Sequence, residues 1–301
     1  MDMAEIFANI LNVIVPDGSA ARIAPEIRAA VAAQGVTDDT VWLASGRAFD
    51  VAFWGEPKTV KAAARVAARG TACDINVVAV AGRRKKLLIA DMDSTIISCE
   101  CLDELADMAG LRARVAPITE RAMRGEIEFA PALRERVALL KGLSVSALEQ
   151  TYTRRVRLNP GAKALVATMK VHGARTVLVS GGFTYFTQRV ADETGFDENQ
   201  ANVLLDDGKV FTGEVREPVL GRQAKLAVLE AQTTRLGIDA ADALCVGDGA
   251  NDLDMIRRAG LGVAYRAKPA VADAAGASIV HGDLTGLLYL QGYCESEIAG
   301  V

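Results

Sequence analysis

Apolar positions in the first eighty residues change spacing several times. Residues 4–15 form an apolar segment, and 20–33 carry Ile23, Ile27, Ala30 and Val31 at helical spacing before Gly35. Short strand-like runs at 41–45 and 49–54 are joined by Gly46-Arg47. Residues 58–68 read as a helix with Val60, Ala64 and Val66 inward, and 71–80 close with a β-rich run. The order β-α-β-β-α-β predicts a ferredoxin-like α+β unit. From Lys86 the pattern becomes strands alternating with helices, which predicts a doubly wound parallel sheet of Rossmann-like type. Its strands are expected at Leu87–Ala90, 176–179, 243–246 and 262–264. The stretch 100–159 has helical periodicity and high charge, as a helical cap would, and Asp207-Gly208 between apolar runs predicts a hairpin within 204–219. The expected division is 1–82 and 83–301, with the cap inserted at about 100–159.

Composition narrows the class. With 301 residues, half of them hydrophobic, the chain can bury a sizeable core. Aromatic residues make up 5% and the net charge is -4, so neither a stacking platform nor a basic surface for nucleic acid is expected. Cys73, Cys99, Cys101, Cys245 and Cys294 lack zinc-type spacing, and His172 and His281 are the only histidines. They read as reduced structural thiols of a cytoplasmic protein. No stretch is apolar enough to span a membrane, and no export signal is expected at the N-terminus. The basic run 83–86 reads as a solvated linker.

Candidate chemistry gathers where the predicted parallel strands end, which is where ligands bind in open α/β sheets. The apolar run Leu87–Ala90 leads into Asp91 and Asp93, which in a regular strand would project to one side. Two close carboxylates repel, and a divalent cation is the usual means of keeping both ionised. Ser94 and Thr95 follow with groups able to bind an oxyanion. The second strand ends in Ser180-Gly181-Gly182, either a ligand-facing turn or a plain glycine turn. The third ends in Gly247-Asp248-Gly249-Ala250-Asn251-Asp252, where Asp252 also suits a helix start. Lys225, on a predicted helix, would be an ordinary surface lysine unless the four aspartates converge. In that case a cation is needed to admit a phosphate.

These four pieces, D-x-D-S-T, S-G-G, a lone lysine and G-D-G-A-N-D in this order, resemble the motifs of the haloacid dehalogenase-like phosphatases over about residues 85–290, with phosphoserine phosphatases as the most similar branch. The N-terminal unit resembles, more weakly, the small ACT-like regulatory domains fused to some members. The resemblance implies that Asp91 is the nucleophile, forming an aspartyl-phosphate, and that Asp93 is the acid and then the base. It implies Mg²⁺ held by Asp91, the backbone carbonyl of Asp93 and Asp248, with waters fixed by Asp252. Ser180, the Gly181 N–H and Lys225 would bind phosphoryl oxygens, and Asn251 would position Lys225 or the phosphate.

Substrate choice needs further residues. A glutamate beside an anion site calls for a substrate cation, so Glu100 suits an ammonium, while Arg136 suits a carboxylate. The family pattern places both at specificity positions, with Met123 and Phe129 as apolar cap contacts. On local sequence alone these four also fit a solvated helix face and cap core. Together they imply O-phospho-L-serine as substrate and the last step of serine biosynthesis. The alternatives are another phosphomonoester such as phosphohomoserine or a sugar phosphate, and a non-catalytic amino-acid sensor, which would be expected to lack Asp91 or Asp93. A homodimer through the N-terminal unit remains an expectation.

Overall fold

The computed structural model describes residues 7–123 and 126–300. Its N-terminal part runs β1 (Asn9–Ile14), α1 (Ala20–Ala32), β2 (Val36–Ala44), β3 (Ala48–Trp54), α2 (Pro57–Ala67) and β4 (Asp74–Ala79). The sheet is ordered β2-β3-β1-β4, with β1 antiparallel to both β3 and β4 and β2 antiparallel to β3. The alternation of β1 explains its two-sided burial. Leu11 and Val13 pack with Ile27, Val31, Val60 and Ala64 of the two helices, and Ile10 and Ile14 point the other way into the main core. Val66, expected inward, is 60% exposed, because it falls off the Val60–Ala64 stripe.

The second part contains β5 (Leu87–Ala90) and four cap helices, α3 (Cys101–Met108), α4 (Arg112–Met123), α5 (Phe129–Ala138) and α6 (Ser146–Arg155). It continues with α7 (Ala162–Val171), β6 (Arg175–Phe183), α8 (Thr184–Thr194), β7 (Glu198–Asn202), β8 (Leu204–Asp206), β9 (Phe211–Val215) and α9 (Arg222–Leu236). It closes with β10 (Ala243–Gly247), α10 (Leu253–Arg258), β11 (Leu261–Tyr265), α11 (Pro269–Ala274), β12 (Ala277–Ile279) and α12 (Gly286–Leu290). Six strands form a sheet ordered β12-β11-β10-β5-β6-β7, and its neighbours pair in parallel. In β5, Leu88 and Ala90 enter one core and Leu87 and Ile89 another, so the strand is an unbroken apolar run. From β5 the chain steps outward to β6 and β7, then returns to the opposite side as β10. A crevice therefore opens between β5 and β10, the switch point where open α/β sheets bind ligands.

The two sheets are joined by polar contacts that local sequence does not reveal. The Asp74 carboxylate accepts backbone N–H bonds from Val280, His281 and Gly282, and Asn76 exchanges two bonds with the backbone of Ser278. Arg83 corrects the expectation of a solvated linker. Its side chain is 14% exposed and makes two bonds to Asp50 at 2.6 and 3.0 Å, with others to the carbonyls of Leu290 and Tyr289. An ion pair removed from water needs such added bonds to offset its desolvation.

Candidate active site

The strand β5 stops at Ala90, and the Asp91 N–H donates to the Val246 carbonyl at 3.0 Å, fastening this end to β10. Residues Met92–Ile96 then make one wide turn, closed by the Ile97 N–H on the Met92 carbonyl. Turns of this width concentrate at functional sites. Because the strand has ended, Asp91 and Asp93 do not share a strand face as regular geometry would have required. The Asp91 carboxylate turns toward Lys225, whereas that of Asp93 accepts from the Cys101 N–H at 2.8 Å and the Ser180 hydroxyl at 2.9 Å. Within the turn Ser94 has φ 54°, a conformation that costs an L-residue about 1–2 kcal/mol. From there its hydroxyl donates to Glu100 at 2.6 Å.

Lys225, on the first turns of α9, is fully buried and its Nζ lies 2.6 Å from both Asp91 and Asp252. Burial works against its charge, and the carboxylates of Asp252 and Asp91 outweigh burial and hold it above its ordinary value. Asp252 gives its other oxygen to the Gly249 N–H. A Cβ on Gly247 would lie 2.3 Å from the Asp252 carboxyl carbon, so glycine is what lets that carboxylate lie against the strand end. Asn251 is expected to position Lys225 or the phosphate, and the structure bears on the first of these. Among the described residues it makes no hydrogen bond to Lys225, and its Oδ1 curls over Gly249 instead.

Asp91, Asp248 and Asp252 each place a carboxylate oxygen within 4.8 Å of the others. The donors are all oxygen, the set a hard divalent cation takes. The Asp93 side chain lies outside this group, occupied by Cys101 and Ser180. Burial, followed by the charge of Asp252, pushes Asp248 to about 6, and the same two causes raise Asp91. Burial also raises Asp93, against the lowering bond from the Cys101 N–H. One lysine does not neutralise this cluster.

The cap closes over the crevice. A Cβ on Gly181 would stand 2.8 Å from the Phe129 ring and one on Gly221 would stand 3.1 Å away, so the ring lies flush against both backbones. Ser180 is buried, and its oxygen also accepts the Gly182 N–H at 2.8 Å. Glu100 is open to the cleft yet surrounded by protein, and burial with the charge of Asp93 raises it to about 7. Arg136 is half-buried on α5 and donates to the Ala132 carbonyl and the Thr119 hydroxyl. Met123 ends α4, but its side chain lies outside the described residues. Sequence reasoning missed the Cys101 N–H, Asp103 and Thr119. The first is a backbone group, and the other two sit on helices without a motif.

The chain is similar to known proteins in sequence and in fold. The sequence pattern of the family described as haloacid dehalogenase-like hydrolase matches residues 88–257. A phosphoserine phosphatase from Polaromonas sp. is 49% identical over 210 residues, covering 68% of this chain and 89% of the relative. An unliganded crystal structure of a probable phosphoserine phosphatase from Vibrio cholerae is similar at TM-score 0.76 and 28% identity, over 99% of this chain and 90% of that one. A phospho-aspartyl intermediate analogue of phosphoserine phosphatase is similar at TM-score 0.64 and 38% identity, over 70% of this chain and 100% of its own.

Proposed function

This chain belongs to the haloacid dehalogenase-like hydrolase family, and from that premise we infer that it hydrolyses O-phospho-L-serine to L-serine and phosphate. The observation that carries the reading is the pairing of Asp91 with a buried lysine at the switch point, with Glu100 and Arg136 near enough for the charge of Asp93 to act on both. Phosphate, ammonium and carboxylate each have a complementary group.

In this reading the Asp91 carboxylate attacks phosphorus, needing no prior deprotonation, and the ester oxygen leaves as the P–O bond breaks. Asp93, raised by burial and anchored by Cys101 and Ser180, delivers a proton to that oxygen. It then takes one from the water that releases phosphate from Asp91. Lys225 and the Ser180 loop hold the phosphoryl oxygens, with charge already in place before the transition state forms. Mg²⁺ fits the oxygen donors of Asp91 and Asp248, and the family resemblance would add the Asp93 carbonyl. When bound it would offset the carboxylates and draw charge from the transferring group. Asp252, with both oxygens engaged, orients Lys225 and the loop. Phe129 excludes water above Gly181. Serine biosynthesis in the cytoplasm, a regulatory role for 1–82 and self-association there belong to the same proposal.

The test is phosphate release from O-phospho-L-serine beside phosphohomoserine, phosphothreonine and sugar phosphates, with Mg²⁺ and with EDTA. Selective release that EDTA abolishes and Mg²⁺ restores is expected, and preference for a sugar phosphate would overturn the substrate. Glu100 adds a pH signature. Its carboxylate pairs with an ammonium only when ionised, so kcat/KM should fall as pH drops through about 7. Glu100→Gln should lower the plateau and flatten that limb, and an unchanged profile would count against the role.

A further inference from the structure

Resting on the phosphoserine reading, one more residue enters the substrate site. Asp103 sits one turn beyond Glu100 on α3, so the two carboxylates share a helix face toward the other cap helices. Between Asp103 and Arg136 stands Thr119 of α4. The Arg136 Nη1–H donates to the Thr119 oxygen at 3.4 Å, and the Thr119 hydroxyl donates to Asp103 Oδ1 at 3.4 Å. A hydroxyl has one proton to give, so accepting from Arg136 and donating to Asp103 gives this chain of bonds one direction. Asp103 is also the carboxylate whose charge most favours the half-buried Arg136 cation, ahead of Glu100 and Asp93. Glu100 is meanwhile engaged by Ser94. Nε of Arg136 is held by the Ala132 carbonyl, and Nη2 has no partner among the described residues.

We propose that Asp103 is a positioning residue for carboxylate recognition, aiming the Arg136 guanidinium at the substrate through Thr119. An arginine side chain loses substantial rotamer freedom when it grips a ligand. Fixing two of its nitrogens beforehand moves that cost out of the binding step, leaving Nη2 to meet the carboxylate. Three cap helices thus share one specificity device, with Asp103 supplying charge, Thr119 direction and Arg136 the contact. A ligand without a carboxylate would not use it.

The experiment compares the unaltered protein with Asp103→Asn, Thr119→Val and Thr119→Ser. It reads KM and kcat for O-phospho-L-serine and the inhibition constant of inorganic phosphate, which has no carboxylate. Asp103→Asn and Thr119→Val should raise KM about five- to twentyfold, leaving kcat and the phosphate constant within about twofold. Thr119→Ser, which keeps the hydroxyl, should remain near the unaltered protein. If KM stays put in Asp103→Asn and Thr119→Val, or the phosphate constant worsens as much as KM, the inference falls while the substrate reading stands. If the unaltered protein does not turn over phosphoserine, the substrate reading falls and this inference with it.

Discussion

Asp91→Asn is expected to cut phosphate release from O-phospho-L-serine by roughly four orders of magnitude while leaving the metal-free protein at least as heat-stable as before. The activity loss follows from chemistry. The amide keeps the shape of the carboxylate and an oxygen for Lys225, but it lacks the charge that attacks phosphorus. The stability expectation follows from the surroundings. Asp91 is buried, and Asp252 and Asp248 press against its charge while only Lys225 favours it. Neutralising it removes like-charge repulsion and preserves the acceptor, so the melting temperature in EDTA should hold or rise. Charged groups placed for reaction rather than for packing commonly trade stability in this way. Phosphate release and thermal unfolding measured on one preparation test both halves. Retention of more than about one per cent of activity would remove Asp91 from the nucleophile's role. A large fall in melting temperature would show that its charge supports the fold.

Legibility in the sequence followed how local each signal was. The strands β5, β6 and β10 were readable because burial on both faces writes a continuous apolar run, and each was followed by its polar cluster. The strand β7, Glu-Asn-Gln-Ala-Asn, was not read, because it lies at the sheet edge and only Asn202 of its residues is buried. The first half of β2 escaped for a similar reason, with Asp38 and Asp39 on an exposed edge. Arg83 looked like part of a solvated run since its partner, Asp50, comes from the other sheet. The motif residues at the strand ends were visible by type and order, but their orientation was not. The wide turn after Asp91 sends Asp93 to Ser180 and Cys101, and that turn depends on Ser94 adopting a backbone conformation no composition rule anticipates. Asp103 and Thr119 gave no signal because their meaning depends on how three helices pack.

Lys225→Met is the substitution expected to damage both fold and chemistry. Methionine approximates the volume of the lysine stem, so packing around this fully buried side chain changes little, and the effect isolates the charge. Asp91 and Asp252 then lose the ammonium that bridges them. Breaking a buried pair from one side costs about 3–5 kcal/mol, which for a chain of this size lowers the melting temperature by roughly 10 °C in EDTA. The deficit should depend on pH with a definite sign. Burial and the charge of Asp252 raise Asp91 and Asp248 in the folded state, Asp248 to about 6, and removing Lys225 raises both further. The folded protein then binds more protons than the unfolded chain over this range, so stability falls as pH rises. The gap to the unaltered protein should be small near about pH 5 and widen toward about pH 8. Mg²⁺ should recover much of the stability because it brings positive charge to the same carboxylates. Activity should not recover, since the ion cannot also replace the ammonium proposed to grip the phosphoryl oxygens, and kcat is expected to stay down by about 10²–10³. Melting curves with EDTA and with Mg²⁺ at two pH values, beside phosphate release, read all of this. A variant as stable as the unaltered protein in EDTA at the higher pH would show that the charge of Lys225 does not offset that of Asp91 and Asp252. Restoration of turnover by Mg²⁺ alone would show that it does not act on phosphate.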